Sequence, residues 1–285
     1  MQEYGSGAPV VVFEAGIAAS SLSWSLVQGR VAEFARTVSY DRAGFGWSDP
    51  APTHSTALDA AEDLGWLLGA AGIQVPVLLV GHSFGGLVAR IFQQLYPERV
   101  AGMVLVDPVV RREWREADAG RLAMLKRGAS LSRRGAMLAR LGVVGAALRL
   151  LTSGNQRIPK LLAKASAGTG AGVTDRLVGE VRKMPRELWP AIAQHWSQAT
   201  AFEAMSRNLE KLPVSAAQLD EARTMGDLPV LILSARAVNP EHERDAALSS
   251  RGRCVVLPDA GHWVQLDAPE EVVAAIREVS GMIRQ

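Results

Sequence analysis

The sequence predicts an α/β protein with a mostly parallel central sheet, helices on both faces and a helical insertion. Three observations carry this. Apolar runs such as Val10-Val11-Val12-Phe13, Met103-Val104-Leu105-Val106 and Val230-Leu231-Ile232-Leu233 recur along the 285 residues, and near-continuous Val/Leu runs mark strands buried on both faces. Segments of helical spacing lie between them, the alternation expected of parallel strands joined by crossover helices. A long stretch, roughly 109–227, then carries helix-like runs and no strand-like one before the last two strands.

Taken in order, Val10 to Phe13 reads as a buried strand that ends in the loop Glu14-Ala15-Gly16. Thr37 to Tyr40 is a second strand, closed by the turn-rich run from Asp41 to Pro50. Residues 56–71 place Leu58, Leu64, Leu67 and Leu68 on one helical stripe. A strand at 75–80 breaks at Gly81-His82-Ser83-Phe84-Gly85 and gives way to a helix running to about Tyr96. Strands follow at 103–106, 229–233 and 254–257, and a helix over 269–280 closes the chain. The long interruption is punctuated by Gly, Ser and Thr at 152–155 and 166–174, and its apolar stretch 136–151 is expected to bury against the body. An all-helical insertion between two sheet strands reads as a lid. The chain therefore divides into a core of 1–110 and 226–285 and a helical lid of 111–225.

Composition narrows the class. Hydrophobic residues make up 48% and charged residues 21%, as in ordinary globular proteins. No apolar run reaches the length of about 18 residues that a membrane span needs. The start, Met1-Gln2-Glu3-Tyr4-Gly5, lacks the basic and apolar pattern of an export signal, so a cytoplasmic location is expected. A single cysteine, Cys254, excludes an internal disulfide framework and a cysteine-based metal site. The net charge of +2 hides an asymmetry: residues 111–212 hold 19 Lys/Arg against 8 Asp/Glu. That segment carries no nucleic-acid motif, and its arginines are scattered among apolar residues, as on a solvated helical face.

The chemistry centres on Ser83. Gly-x-Ser-x-Gly between a strand and a helix holds a serine on a sharp, exposed turn. Side chains at Gly81 or Gly85 would collide with backbone as the chain reverses, and the helix N-terminus favours negative charge developing near Ser83. A serine hydroxyl needs a base. His262 stands on a loop after the last strand, in Asp259-Ala260-Gly261-His262-Trp263, where the loops at strand carboxyl ends converge. The other histidines are placed less well: His82 adjoins the serine and is expected to point inward. His54 lies in a loop, His195 in the lid and His242 in a polar stretch.

These motifs resemble the α/β-hydrolase superfamily, in its lid-bearing serine esterase or lipase-like branch. The resemblance is carried by Ser39 to Asp49 (SYDRAGFGWSD), Gly81 to Gly86 (GHSFGG) and Asp259 to Glu270 (DAGHWVQLDAPE), and covers about 1–110 and 226–285. It implies a Ser83 nucleophile, a His262 base, and an oxyanion hole formed by the backbone N–H groups of Ile17 and Phe84. The loop after 229–233, Ser234 to Pro240, holds no carboxylate at the spacing most relatives use. Some relatives instead keep the acid after the strand that follows the elbow helix, which here is Asp107; Glu241 and Glu243 remain open as alternatives. The usual His-Gly before the oxyanion loop is Ala15-Gly16, and the family's two strands before Val10 are expected to be missing. A sheet shortened in that way would expose an edge and favour a homodimer. Asp41 and Arg42 are expected to anchor the loop beside the site. Trp24, Trp47, Trp189, His195 and Trp196 are candidates to line the substrate pocket.

The expected activity is hydrolysis of a small to medium carboxylic ester through an acyl-enzyme, with no metal or organic cofactor. Aminopeptidase, carbon–carbon hydrolase, lactonase, cofactor-free haloperoxidase and hydroxynitrile lyase share the Ser/His framework. An epoxide hydrolase or haloalkane dehalogenase is disfavoured, because the enzymes resembling this chain there need a carboxylate nucleophile. A non-catalytic ligand-binding protein on the same scaffold is the alternative of a different class. The expected partner is thus a small-molecule ester, with no nucleic acid and no membrane span.

Overall fold

The computed structural model describes every residue except 52, 54, 153–178, 221, 222 and 285. His54 and most of the Gly/Ser/Thr punctuation at 152–155 and 166–174 thus lie outside the described residues.

Seven strands form one sheet in the order β1-β3-β2-β4-β5-β6-β7. They are β1 (Gln2–Tyr4), β2 (Val10–Glu14), β3 (Arg36–Ser39), β4 (Val77–His82), β5 (Val100–Val106), β6 (Val230–Ala235) and β7 (Gly252–Leu257). Every neighbouring pair is parallel except β1 with β3. Of the two strands expected to be missing before Val10, one is present at this edge. Gln2–Tyr4 pairs antiparallel with Thr37, Val38 and Ser39, and its polar, exposed residues gave no apolar run from which to read a strand.

Alternation along the strands builds a core on each face. Val10 and Val12 of β2 pack with Leu79, Leu105 and Ile232. Their partners are Leu64 and Leu68 of α2 (Ala57–Ala70) and Val88 and Phe92 of α3 (Phe84–Leu95), while α1 is the short turn Gln28–Val31. Val11 and Phe13 face the other way, onto Leu78, Val80, Val104 and Leu231. The period of two in strand side chains thus feeds two cores from one apolar run. Burying each such Val, Leu or Phe stabilises the fold by about 1.5–3 kcal/mol. Helix α2 starts where a capping box places it: Thr56 accepts from the Asp59 N–H, and Asp59 accepts from the Thr56 N–H.

Between β5 and β6 the described residues hold α4 (Arg111–Arg115), α5 (Ala119–Arg140), α6 (Val143–Thr152), α7 (Trp189–Trp196) and α8 (Ala199–Ala217). Helix α8 joins this insertion to the core through the start of α2. The Ala57 N–H donates to Ser215 Oγ at 3.0 Å, and Asn208 donates to the Ser55 carbonyl at 2.9 Å. Within the apolar stretch expected to bury, residues 137–149 are exposed or only partly buried. Met137 is 57% and Leu141 70% exposed, because α5 meets α8 along a face that runs through Leu125, Ala129, Ser132 and Ala136 instead. After β6 come α9 (Pro240–Ala246), α10 (Val264–Asp267) and α11 (Pro269–Ile283). No described helix is long and apolar enough to cross a membrane.

Candidate active site

The parallel register brings the carboxyl ends of β2, β4, β5 and β6 to one edge, with Glu14 opposite Gly81, His82 opposite Val106 and Val106 opposite Leu233. Ser83 follows directly on β4. Its backbone sits at φ 54°, ψ −118°, a region that side chains other than glycine rarely occupy and that the surroundings must hold in place. Those surroundings are tight. A Cβ on Gly81 would lie 2.5 Å from the Gly85 carbonyl oxygen, and one on Gly85 would lie 2.3 Å from that of Glu14. The Ser83 N–H donates to the Val106 carbonyl at 3.0 Å, and the Ser83 carbonyl accepts from Val109 at 3.1 Å.

Three side chains meet here from far-separated segments. His262 Nε2 lies 3.1 Å from Ser83 Oγ, and His262 Nδ1 lies 2.6 Å from Asp107 Oδ2. Asp107 also accepts from the Ala235 N–H at 3.0 Å and itself takes a positive φ of 41°. Burial acts to raise its pKa, but the hydrogen bonds from His262 and Ala235 outweigh burial and hold the carboxyl below its ordinary 3.8. Glu241 is engaged with Arg244 on α9, and Glu243 is exposed, so the carboxylate brought to His262 is that of Asp107. His242, read from sequence as lying in a polar stretch, is buried. Its ring spans Ser234 Oγ and the Pro108 carbonyl, each at 3.0 Å, and so braces the turn that follows Asp107. The signal for it was the helical spacing of His242 and Ala246, the two buried residues of α9.

A second cluster holds the loop after β2. Glu14 is buried, and burial pushes its carboxyl up while Arg42 and the Tyr40 hydroxyl oppose that shift. The Arg42 guanidinium reaches Glu14, the Ala15 carbonyl and, at 2.6 Å, the Gly16 carbonyl. In a trans peptide the N–H points opposite the C=O. Pinning the Gly16 carbonyl to Arg42 therefore turns the Ile17 N–H away from the core. Among the described residues that N–H has no acceptor. Phe84 begins α3, so its N–H is one of the orphan donors of a helix start. Asp41 locks the neighbouring turn by accepting from the Ser21 N–H at 2.6 Å and the Trp47 N–H at 3.1 Å.

His82 points inward, as expected. Its Nε2 donates to the His262 carbonyl at 2.8 Å, and its ring lies 5.3 Å from that of Trp263. Burial first, and the neighbouring His262 second, push its pKa down to about 3, so the ring is neutral. Of the aromatic candidates, Trp24 is corrected. It is fully buried beneath the loop and packs on Phe13 with ring centroids 5.0 Å apart, and so belongs to the core. Its position in a loop-like stretch concealed a short helical turn, Ser21–Trp24, whose four residues are all buried. Trp196 forms a wall shared by two small cavities over Ala18, Ala19 and Ser20, and His195 lines the first of them. Trp47, 56% exposed, meets the His195 ring edge-on at 4.0 Å. Trp189 packs instead against the cluster of Leu22, Met184, Ile192 and Leu266. Among the described residues no group of His, Cys, Asp and Glu is arranged to hold a metal ion.

Comparison with known proteins agrees with this architecture. A sequence profile of the α/β hydrolase fold matches residues 9–269, and the chain belongs to that family. A 2-(acetamidomethylene)succinate hydrolase from Mesorhizobium japonicum is 26% identical over 287 residues, covering 97% of this chain and 89% of that protein. A thermophilic esterase from Thermogutta terrifontis superposes with TM-score 0.66 at 23% identity, covering all of this chain and 93% of its own. The epoxide hydrolase CorEH superposes with TM-score 0.72 at 16% identity, over 99% and 94% of the two chains. The last two likenesses speak to fold alone. The chain spans only 42%, 15% and 32% of the length of the first three curated relatives it matches.

Proposed function

We propose that this protein is a serine hydrolase that cleaves small to medium carboxylic esters through an acyl-enzyme, with the insertion as its lid. The observation that carries the reading is the continuous line from Ser83 Oγ through the His262 ring to Asp107, at 3.1 and 2.6 Å. It is supported by the Ile17 N–H, which has no acceptor among the described residues, by the Phe84 N–H at the start of α3, and by the hydrolases among the relatives and neighbours.

In this reading Ser83 Oγ attacks the ester carbonyl while His262 Nε2 takes the hydroxyl proton. Asp107 accepts from His262 Nδ1–H, which fixes the tautomer and stabilises the imidazolium. The oxyanion of the tetrahedral intermediate receives hydrogen bonds from Ile17 and Phe84, each such donor contributing about 10²–10³-fold in rate. His262 then protonates the departing alcohol. Water attacks the acyl-serine with His262 again as base, and the carboxylic acid leaves.

A fluorophosphonate probe and a panel of nitrophenyl esters test this directly. Labelling of the wild-type chain, none of Ser83→Ala, and turnover of acetate to hexanoate esters are expected. An unlabelled wild type that turns over no ester at neutral pH would leave the reading without support.

A further inference from the structure

Helix α7 ends over the loop that follows Ile17, and the side chain one residue before its last is unusual. His195 is only 4% exposed, yet neither ring nitrogen has a hydrogen-bond partner among the described residues. Buried polar nitrogens are nearly always paired, and one left without a partner points to a ligand or water not part of the chain. The ring lines a cavity whose other walls include Ala18, Phe45, Trp196, Phe202 and Met205. No Lys, Arg, Asp or Glu is among the residues that line it. Trp47 meets the ring edge-on, with centroids 4.0 Å apart. The cavity begins at Ala18, one residue beyond the N–H assigned to the oxyanion.

We infer that His195 is a specificity-determining residue, and that this cavity takes an ester arm bearing a neutral oxygen, a carbonyl or hydroxyl. The inference rests on the proposed function and adds the substrate class to it. A neutral imidazole offers one N–H and one lone pair, which suits a carbonyl or hydroxyl oxygen. Burial holds the His195 ring below the ordinary histidine range against the opposing charge of Asp41, so the imidazole is neutral at pH 7. An anionic arm would meet no cation in these walls. A purely alkyl arm would leave both ring nitrogens unpaired, so the pocket discriminates by the oxygen more than by length.

The test compares matched esters that differ by one oxygen. Nitrophenyl 4-oxopentanoate and 5-oxohexanoate are set against pentanoate and hexanoate, and 4-oxopentyl acetate against pentyl acetate for the alcohol side. In the wild type, at least one oxo ester is expected to exceed its alkyl counterpart in kcat/KM by about fivefold or more. His195→Leu should bring that ratio to about one; His195→Gln, which keeps a donor and an acceptor, should retain part of it. Wild type without preference for any oxo ester overturns the inference. So does a His195→Leu protein that loses all esters in equal proportion, the signature of packing alone. Calorimetry on Ser83→Ala, with and without His195→Leu, uses ethyl 4-oxopentanoate, ethyl 5-oxohexanoate, 4-oxopentyl acetate and their alkyl counterparts. If no ester is cleaved and Ser83 stays unlabelled, the proposed function falls, while these binding ratios still decide the role of His195. Equal or absent binding of every matched pair overturns it.

Discussion

At the scale of single residues, the site depends on groups that hold other groups. Asp107 contributes by accepting from His262, so Asp107→Asn should leave the ring in the wrong tautomer and lower kcat by on the order of 10⁴-fold. Glu241→Gln, made on a residue engaged with Arg244, should keep the wild-type rate; equal losses in the two variants would contradict the assignment. Arg42 never meets the substrate in this scheme, yet its fork holds the carbonyls of Ala15 and Gly16 that set the Ile17 N–H. A lysine keeps the charge but not the planar fork. Arg42→Lys is therefore expected to lower kcat by about 10- to 100-fold with KM nearly unchanged. A KM effect of the same size, or binding of a boronate transition-state analogue at wild-type affinity, would argue against a positioning role. Ser83 and His262 were legible in the sequence because their motifs are local: two glycines around a serine, and a histidine on the loop after the last strand. The grip of Arg42 on Gly16 was not. It joins residues 26 positions apart whose meeting only the register of β2 and β3 arranges.

Among the elements, the elbow is the joint that everything else packs around. Helix α3 can follow β4 so abruptly because Gly85 lies against the end of β2, where its Cβ would come 2.3 Å from one backbone oxygen and 2.7 Å from the next. Neither neighbour is a flexible side chain. Gly85→Ala is expected to destabilise the protein by about 3 kcal/mol and to abolish activity. Gly69, near the end of α2 with nothing within 4 Å of a Cβ, is the internal contrast. Gly69→Ala should gain about 0.5 kcal/mol by restricting the unfolded chain. Chemical denaturation of both reads the difference, and similar midpoints would refute the steric account. The insertion shows where helical pattern misleads. Its apolar stretch over 136–151 invited burial, but α5 presents a different stripe to α8 and leaves Met137 and Leu141 in solvent. Composition counts apolar residues, whereas burial depends on which side of a helix meets its partner.

For the molecule as a whole, the buried histidine links the site to stability. The folded value of His82 is about 3 against an ordinary 6.5. As pH falls through about 6.5 the unfolded chain takes a proton that the folded chain refuses. Stability is therefore lost from there toward pH 3, at up to about 1.4 kcal/mol per pH unit. Asp107, held below 3.8, adds a further loss as its folded value is crossed, whereas the raised Glu14 works in the opposite direction. The histidine part is isolated by His82→Gln, which keeps a donor for the His262 carbonyl but does not titrate. Between pH 7 and 5 the Tm of the wild type should fall faster than that of the variant; parallel profiles would remove His82 from the account. Residue order alone determined the α/β architecture, the strained serine turn and the choice of His262, because strand period, helix spacing and glycine-flanked turns are all written over a few neighbouring positions. Folding alone decided that Asp107, and not Glu241 or Glu243, meets His262 across 155 residues. It also placed Trp24 in the core and left His195 buried with no hydrogen-bond partner among the described residues. Those outcomes depend on which side chains the sheet register and the seating of α7 and α8 bring together, and no local pattern encodes a distance between segments.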